Sequence, residues 1–250
     1  AISLISFLDD ILTLINKVRL SVHLTSVLLL FLQWDLFSLS WYWLLVALIF
    51  VIATINAYNF MDGINGITGG YSLLTIATLY YINSEIVEFV SSELITVVGL
   101  SLLVFNFFNF RTKAKCFAGD VGSVSIAFII IFLIGLLILK TANLSYIFLL
   151  LVYGVDTAFT VFFRKLRKEN IFEAHRSHFY QFLSNKLKYK HINVTSLYML
   201  AQLLINILLI LLLSYHMLYV LLVFFVVTAI YLTLRFKLEG KTRLLTSYEN

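Results

Sequence analysis

The chain contains no proline, a single cysteine and few charged residues. Without proline, its turns must be built from glycine, asparagine, serine and charged residues. The single cysteine, Cys116, excludes an internal disulfide framework and a cysteine-rich zinc site. Charged residues make up 12% of the 250 residues and hydrophobic ones 61%, whereas globular chains carry about 25% charged residues. This composition excludes an ordinary water-soluble domain and predicts a protein embedded in a lipid bilayer.

The apolar stretches of the chain predict its architecture. They are hydrophobic on all sides, as helices inside a bilayer are, and no stretch alternates polar and apolar residues as a strand would. We therefore predict an all-α fold, a polytopic transmembrane helix bundle of about eight spans. The expected spans are residues 22–38, 41–57, 67–82, 94–110, 122–139, 144–163, 193–213 and 215–234.

The chain is expected to form one integral membrane domain, residues 1–250, because no polar linker rich in serine and glycine divides it. Only eight residues, Ala1 to Leu8, precede the first charges, although crossing a bilayer takes about 20 residues. We interpret this start as the end of a partial helix. The domain is accordingly expected to lack N-terminal helices.

Lysine and arginine are distributed unequally between the two sides of the predicted bundle. All but Lys140 of the 18 lysines and arginines fall on one side. The polar segments of that side are residues 9–21, 58–66, 111–121, 164–192 and 235–250. Because cytoplasmic loops carry the excess of lysine and arginine, this side is predicted to face the cytoplasm, with the protein in the cell inner (plasma) membrane. The pI of about 9.2 then reflects topology, and we expect no nucleic-acid partner.

A first group of chemically capable residues lies near the start, where Asp9 and Asp10 precede Arg19 in a short basic segment. Adjacent carboxylates repel each other, so one of them is suited to hold a proton or a cation. Taken alone, the pair is equally explained as a charged helix end at the membrane interface.

A second group lies in the stretch NAYNFMDGINGITGG, where Asn56, Asn59, Asp62 and Asn65 are interspersed with glycines. Amide and carboxylate oxygens can bind a cation or the edge of a base, and glycines let backbone N–H groups approach a phosphate. A capped, glycine-rich turn would account for the glycines alone. It would not account for four amide and acid groups at a membrane helix end, where uncompensated polar groups cost free energy.

A third group lies in RTKAKCFAGDVGS, which contains Lys113, Lys115, Phe117 and Asp120. Asp120 alone could be a helix cap that complements the dipole, and Phe117 alone could be a packing residue. Together, two lysines, an aromatic ring and an acid suit a nucleotide diphosphate with magnesium, which prefers one or two carboxylates plus substrate oxygens.

A fourth group lies in residues 164–192, predicted to be a cytoplasmic substrate loop, which carries His175, Arg176 and His178. Arginine and imidazole groups bind diphosphates well, whereas no cysteine or acid at suitable spacing completes a zinc site here. Asp156 precedes the loop within a predicted span. An acid at that depth is expected to be either functional or paired with a basic residue such as Arg164.

In this order, the four groups resemble the polyprenyl-phosphate N-acetylhexosamine-1-phosphate transferase family, glycosyltransferase family 4, which includes the muramyl-pentapeptide translocase. The resemblance runs from Leu8 to about Tyr180, and DGING and FAGDVGS are its most specific parts. Within the family, the motif sequences are most similar to those of bacterial O-antigen or capsule initiating transferases.

The resemblance implies transfer of a sugar-1-phosphate from a UDP-N-acetylhexosamine to polyprenyl (undecaprenyl) phosphate, with release of UMP, at the start of cell-wall or polysaccharide biosynthesis. It implies Mg²⁺ as the cofactor, with Mn²⁺ as a substitute, bound by Asn59 and Asp120. The implied catalytic residues are Asp9, Asp10, Asp62, His175, Arg176 and His178. The implied substrate-binding residues are Arg19, Asn56, Asn65, Lys113, Lys115 and Phe117.

Other classes of membrane protein compete with this interpretation. A cation- or proton-coupled transporter would use Asp9, Asp120 and Asp156 along a path through the bundle, but transporters usually bind near the midplane and show repeated halves. A CDP-alcohol phosphotransferase would need a denser Asp/Gly motif. The choice of N-acetylhexosamine, the glycan pathway and the oligomeric state, a homodimer included, stay open.

Overall fold

The computed structural model describes residues 3–4, 7–8, 16–170, 175–213 and 217–246, with the side chains of 16–20 left out. Across these ranges the chain forms eight long helices and no strand. The long helices are α1 (Asn16–Gln33), α2 (Trp41–Met61), α3 (Ile67–Glu85), α4 (Ser92–Asn109), α5 (Gly119–Thr141), α6 (Leu151–Leu166), α8 (His191–Leu212) and α9 (Met217–Glu239). Shorter elements are 3₁₀ turns at Leu36–Ser38 and Leu144–Leu150, the single turn α7 (Phe179–Gln181), a π turn at Phe182–Lys186, and α10 (Lys241–Leu245).

The predicted all-α transmembrane bundle is confirmed, and each of the eight predicted spans coincides with one long helix. Six described segments are long and apolar enough to cross a membrane. They are Trp41–Met61, Ser92–Asn109, Gly119–Thr141, Leu144–Leu166, His191–Leu212 and Met217–Glu239. Of the other two helices, α1 contributes the shorter apolar stretch Ser21–Gln33. The protein is therefore an integral membrane protein.

Some predicted boundaries differ from the observed ones. The first span was placed at 22–38, whereas α1 ends at Gln33, and the chain then turns at Asp35 with a left-handed φ of 53°. Aspartate tolerates that conformation better than most residues do. The predicted loop 164–192 is also only partly a loop, because its second half forms α7 and the π turn, with Phe179, Tyr180 and Phe182 buried. Ser214, where a tight turn was predicted, lies outside the described residues.

Helix α3 lies at the centre of the bundle and packs against α2, α4, α5 and α8. It is rich in small and polar side chains that are buried, among them Thr68, Gly69 and Ser72. A Cβ at Gly69 would lie 2.8 Å from the Phe105 ring of α4, so the two helices approach more closely than a larger residue would allow. Small residues at such interfaces are typical of membrane bundles, where van der Waals packing replaces hydrophobic burial.

The span that contains α6 is discontinuous. It begins as the 3₁₀ turn Leu144–Leu150 and becomes α-helical only at Leu151, whose N–H donates to the Phe148 C=O. Gln202 of α8 adds two bonds at this join: its amide donates to the Phe148 C=O at 2.9 Å, and its oxygen accepts the Val152 N–H at 3.0 Å. Buried backbone groups in a bilayer must be satisfied internally, which explains a glutamine with no exposed surface inside α8.

The polar segments that carry most of the lysines and arginines gather at one end of the bundle. Asn65 after α2 reaches the α4–α5 connection, the Tyr180 hydroxyl donates to the Phe60 C=O, and Arg167 after α6 donates to the Leu244 C=O of α10. Apolar side chains stay exposed along the helices, and only Val220 and Arg235 of α9 are buried. The polar end thus closes a bundle whose flanks suit a lipid environment.

Candidate functional site at the polar end of the bundle

Two carboxylates stand at the centre of the polar end. Asp62 directly follows α2, and Asp120 lies in the first turn of α5, where an acid complements the helix dipole. The Asp62 carboxylate is half-buried beside the Thr68 hydroxyl and accepts the Gly119 N–H. Burial raises the pKa of Asp62 above its ordinary value, and the negative charge of Asp120 raises it further. Two acids that oppose each other's ionisation form a site where a cation is stabilising.

Asn59 adds an amide oxygen one turn before Asp62. Its Oδ1 accepts a hydrogen bond from the Ser123 hydroxyl at 2.9 Å, which joins the end of α2 to the start of α5. One lone pair of that oxygen is left for a further partner. The available donors are then two carboxylates and one amide oxygen, the hard oxygen ligands that Mg²⁺ prefers. No group of three His, Cys, Asp or Glu suited to a metal occurs among the residues the structure describes.

Asn109, at the end of α4, joins the two loops that carry the sequence motifs, residues 58–66 and 110–121. Its Oδ1 accepts the Gly66 N–H at 2.7 Å, and its Nδ2 donates to the Cys116 C=O at 2.7 Å. Gly66 adopts a φ of 82°, where glycine is favoured, and the Phe110 ring occupies the space that a Cβ would need there. Asn109 is 5% exposed, so these bonds are shielded from water.

Asn65 makes a second bridge between the same loops. Its Nδ2 donates to the C=O groups of Arg111 at 2.9 Å and Thr112 at 3.2 Å, and its own C=O accepts the Thr195 hydroxyl of α8 at 2.9 Å. Both N–H groups of the amide are thus engaged with the protein. Its side-chain oxygen is the atom left to meet a ligand.

The loop between α4 and α5 presents its cations and one aromatic ring outward. Lys113 and Lys115 are exposed, and Phe117 is 72% exposed. An exposed phenylalanine flanked by lysines is a surface on which a base can stack while a phosphate is neutralised. The loop is held in place through its backbone, since the Lys115 N–H donates to the Phe108 C=O at 2.9 Å.

The segment before α7 brings the predicted histidines beside this centre. The His175 ring stacks on His178 at a centroid distance of 5.0 Å and lies 5.9 Å from the Phe60 ring. Burial lowers the pKa of His175 to about 4, with the nearby His178 and Arg164 adding to the effect, so this imidazole is neutral at pH 7. Tyr180 packs against the turn at Gly63, where its hydroxyl fills the space that a Cβ would need.

His178 is 1% exposed and lies deeper than His175. Its Nδ1 lies 3.2 Å from the Oδ1 of Asp156, a fully buried carboxylate of α6. Asp156 also accepts the Phe179 N–H at 3.2 Å and the hydroxyls of Thr160, Tyr198 and Tyr231. The acid predicted to be either functional or paired with Arg164 is thus surrounded by donors, with His178 as its charged or polar partner.

Asp156 begins a chain of charged and polar contacts that runs along α9 to Arg243 of α10. Arg235 donates to Tyr231 at 2.7 Å, to Thr160 at 2.9 Å and to the Ser177 C=O at 2.6 Å, and it pairs with Glu239. Glu239 also pairs with Arg243 at 3.0 Å. We call these residues and their neighbours the buried charge network: Asp156, Arg164, Arg167, Glu169, His178, Arg235, Glu239 and Arg243.

Glu169 extends the buried charge network into the segment that follows α6. It pairs with Arg167 and, at 3.0 Å, with Arg164. The hydrogen bond from Arg167 is the main reason that the pKa of Glu169 lies below its ordinary value. Arg167 also donates to the C=O groups of Arg243 and Leu244, both at 3.3 Å. The network therefore connects α6, the histidine segment (residues 175–178), α9 and α10.

Comparison with known proteins identifies the family. The model for glycosyl transferase family 4 matches residues 1–140, more than half of the chain. The chain belongs to glycosyl transferase family 4. This stretch includes the second and third groups of motif residues and the Asp62–Asp120 centre.

Individual relatives in glycosyl transferase family 4 are moderately similar. A probable undecaprenyl-phosphate N-acetylglucosaminyl 1-phosphate transferase of Bacillus subtilis is 29% identical over 193 residues, which cover 71% of this chain and 54% of the relative. A phospho-N-acetylmuramoyl-pentapeptide-transferase of Dictyoglomus turgidum is 27% identical over 191 residues, covering 68% of this chain and 60% of the relative. A phospho-N-acetylmuramoyl-pentapeptide-transferase of Moorella thermoacetica is 36% identical over 105 residues, covering 40% and 30%. The chain thus spans between half and two thirds of the first two relatives.

The structure brings together some of the residues that the family resemblance implied and leaves others apart. Asn59, Asp62 and Asp120 meet at the centre, with Asn65, Lys113, Lys115 and Phe117 on the adjoining loops and His175 and His178 behind them. Arg176 is exposed on the same segment. Asn56 is exposed, and its Nδ2 donates to the Ile52 C=O of its own helix at 3.0 Å, so that bond does not tie it to the centre. Asp9 and Asp10 lie outside the described residues, and the Arg19 side chain is likewise not described.

Several residues that shape this family site escaped sequence analysis. They are Asn109, Tyr180, Tyr198, Tyr231, Arg235 and Glu239. A usable signal existed for Arg235 and Glu239, because an arginine and a glutamate four residues apart can pair on one helix face. The tyrosines carried no signal, since they are common in this chain and only their neighbours in the fold distinguish them.

Proposed function

We propose that this chain transfers a sugar-1-phosphate from a UDP-N-acetylhexosamine to polyprenyl phosphate and releases UMP. The observation that carries the proposal is the pair Asp62 and Asp120, set between loops with exposed lysines and an exposed aromatic ring at one end of a membrane bundle. A water-soluble nucleotide sugar can reach that end from solvent, while a polyprenyl chain can lie along the apolar flanks. Membership of glycosyl transferase family 4 supports the same reaction class.

Magnesium, with manganese as a substitute, is the proposed cofactor. Asp120 and Asn59 would hold it, and Asp62 is an additional carboxylate in the same cluster. When bound, such an ion neutralises charge on the diphosphate and on the departing nucleotide. The oxygen-only donor set and the mutual repulsion of the two acids both support a hard divalent cation at this place.

The donor is proposed to bind across the α4–α5 loop and the histidine segment. Phe117 would stack on the uracil, Asn65 would accept a hydrogen bond from the uridine, and Lys113 and Lys115 would neutralise phosphate charge. Arg176 is exposed and close in sequence to His175 and His178, so its guanidinium is placed to contact the diphosphate or the sugar. Asn56 would belong to the outer edge of this surface.

The acceptor is proposed to be a polyprenyl phosphate such as undecaprenyl phosphate, with Arg19 binding its phosphate and Asp9 and Asp10 beside it. An oxygen of that phosphate would attack the phosphorus that carries the sugar, the bridging P–O bond to the uridine-bearing phosphate would break, and UMP would leave. A phosphate monoester has its second pKa near roughly 6, so the attacking oxygen is already largely ionised at neutral pH. The main contributions of the protein would be positioning and charge neutralisation.

The proposed location is the cell inner (plasma) membrane, with the site on the cytoplasmic side. The excess of lysine and arginine at the polar end supports this orientation, and a nucleotide-sugar donor is available there. The product would initiate a lipid-linked glycan of the cell wall, an O-antigen or a related polysaccharide. The oligomeric state is left open.

The test is UMP release from UDP-N-acetylglucosamine by membranes that contain the protein, with undecaprenyl phosphate and Mg²⁺ each added or omitted. We expect release only when both are present, and a panel of UDP-N-acetylhexosamines then defines the sugar. Membranes without the protein are the control. Absence of release from every donor, in protein shown to be folded, would contradict the transferase and favour the transporter alternative.

A further inference from the structure

The buried pair Asp156 and His178 has no part in the proposed metal centre, yet it lies directly behind it. The His178 ring is packed between the rings of His175, at 5.0 Å, and Tyr180, at 5.7 Å. The Tyr180 hydroxyl in turn donates at 2.9 Å to the Phe60 C=O, two residues before Asp62. His178 is therefore coupled through packed side chains to the turn that carries one of the two central carboxylates.

The Asp156 carboxylate accepts four hydrogen bonds besides its contact with His178. Phe179 contributes its backbone N–H at 3.2 Å, and hydroxyls come from Thr160 at 3.1 Å and Tyr231 at 3.2 Å, with Tyr198 on the other oxygen. Arg235 adds a positive charge through Tyr231 and Thr160. This environment stabilises an ionised carboxylate, which can only accept hydrogen bonds.

An ionised Asp156 determines which nitrogen of His178 carries the proton. The Nδ1 lies 3.2 Å from Asp156 Oδ1, so it is stabilised as N–H by the carboxylate beside it. The other nitrogen, Nε2, is buried and has no hydrogen-bond partner within the part of the chain that the structure describes. An unsatisfied polar atom at 1% exposure costs free energy, and a ligand that reaches it would relieve that cost.

We propose that Asp156 is a positioning residue that fixes the Nδ1–H form of His178 and thereby presents Nε2 to the sugar-diphosphate donor. Asp156 does not itself meet the substrate. It sets the ring orientation through one oxygen, while the tyrosine and threonine hydroxyls and the Phe179 N–H keep the carboxylate in place. This inference rests on the proposed transferase function for its kinetic consequence, and on the geometry alone for the state of the ring.

The substitution Asp156→Asn tests the proposal because the amide keeps the shape of the carboxylate but removes its negative charge. His178, Thr160, Tyr231 and the Phe179 N–H all share the Oδ1 position, and a neutral amide oxygen binds these competing donors more weakly than a carboxylate does, so it no longer holds the proton on His178 Nδ1. The His178 ring is then expected to carry its proton on Nε2. The corresponding aspartate-to-asparagine change in a serine protease triad likewise leaves the catalytic histidine in the wrong tautomer.

The matched control is Glu239→Gln, the same acid-to-amide change in the same buried charge network. The Glu239 side chain is 2% exposed and pairs with Arg235 and Arg243, but it makes no contact with His178. It is expected to lower the melting temperature while leaving the His178 ring unchanged. A merely structural role for Asp156 would make the two variants behave alike.

The first readout is ¹⁵N NMR of the full chain, labelled at histidine, in lipid nanodiscs without substrate. The chain has five histidines, and His178→Gln assigns the signal by removing it. We expect an Nδ1–H ring in the wild type and in Glu239→Gln, and an Nε2–H ring in Asp156→Asn. An Nε2–H ring in the wild type, or an unchanged ring in Asp156→Asn, would overturn the proposal.

The second readout is steady-state kinetics with UDP-N-acetylglucosamine. We expect Asp156→Asn to lower kcat by about 10–100-fold, the range seen when the hydrogen-bond partner of a functional histidine is removed, with a much smaller change in the donor KM. Equal losses in both variants, in proportion to their melting temperatures, would also overturn the proposal.

The experiments also distinguish failure of Asp156→Asn to insert from failure of the proposed transferase function. If Asp156→Asn does not insert, Asp156→Glu retains a carboxylate and is expected to keep the Nδ1–H ring, whereas an Nε2–H ring there would count against the proposal. If the wild type is folded and releases no UMP, the proposed transferase function fails, and so does the kinetic role of Asp156. The NMR result would still decide whether Asp156 sets the His178 tautomer.

Discussion

The two motif-bearing loops, 58–66 and 110–121, and the buried charge network use polar residues in opposite ways. In the motif loops, Lys113, Lys115 and Phe117 are exposed, and the amides of Asn65 and Asn109 bond mainly to backbone. In the network, the side chains of Arg235 and Glu239 are 1% and 2% exposed, and they bond to each other and to further side chains. The first arrangement leaves charges available to a ligand, and the second uses them to hold elements together. Substitutions in the two regions should therefore separate activity from stability.

The largest effect on activity is expected for Asp120→Asn in the motif loops. Loss of a carboxylate at the proposed metal centre should reduce UMP release by more than about 100-fold. This exceeds the loss of about 10–100-fold that is typical when a residue that only contacts a metal ligand is removed. The protein should still insert and fold. The matched control is Asp35→Asn, an exposed acid at the opposite end of the bundle with a left-handed φ that asparagine adopts readily. Full activity in Asp120→Asn would contradict the metal-centre assignment.

The largest effect on stability is expected for Arg235→Met in the buried charge network. Removing one partner of a buried ion pair leaves the other uncompensated and typically costs about 3–5 kcal/mol, so the melting temperature in detergent should fall strongly. Lys237→Met, on an exposed position of the same helix, should change stability by less than about 0.5 kcal/mol. Similar melting temperatures for the two variants would show that Arg235 stabilises the protein no more than the exposed Lys237 does.

A smaller, purely kinetic effect is expected for Arg176→Ala. Loss of a charge-assisted hydrogen bond to a phosphate costs about 1.5–3 kcal/mol, so kcat/KM for the donor should fall roughly 10–100-fold without a change in melting temperature. Lys186→Ala, also exposed on the segment between α6 and α8, serves as the control. Unchanged kinetics in Arg176→Ala would exclude the histidine segment from donor binding.

The smallest effect concerns acid stability and His175. Its folded-state pKa of about 4 lies below the ordinary 6.5, so between these values the unfolded chain binds a proton that the folded chain does not. Stability should therefore fall as the pH drops from 7 to 5. His175→Gln should show a smaller loss of melting temperature over that interval, and an equal loss would contradict the shifted pKa.

Sequence analysis predicted the membrane bundle well because long apolar stretches and the distribution of basic residues are local, additive signals. It joined Asn59 and Asp120 in one site only through the family resemblance, and their roles stay predictions; the structure shows that a hydrogen bond between Asn59 and Ser123 links the two motifs. For Asp156, sequence analysis predicted that a partner could exist but did not identify it. An acid in a span implies a functional role or a basic partner, and Arg164 was the example that sequence analysis named, whereas the observed contact is with His178.

What could not be predicted depends on contacts between distant elements. Nothing local to Asn109 shows that it bonds Gly66 and Cys116 at once. The burial of Arg235 was equally hidden, because α9 is otherwise apolar and exposed, and a basic residue at its end suits the membrane interface just as well. Such residues become informative only when the helices that surround them are known.

The join at Leu150 and Leu151 has a consequence for how the protein is made. The Phe148 C=O and the Val152 N–H are satisfied by Gln202, which emerges from the ribosome only after the whole histidine segment and half of α8. Until then, the two groups can bond to each other, because they lie four residues apart and a regular α-helix pairs the C=O of one residue with the N–H of the fourth residue after it. The span Leu144–Leu166 can therefore enter the bilayer as a continuous helix, and its final 3₁₀ start is expected to form only when α8 inserts Gln202 between these two groups.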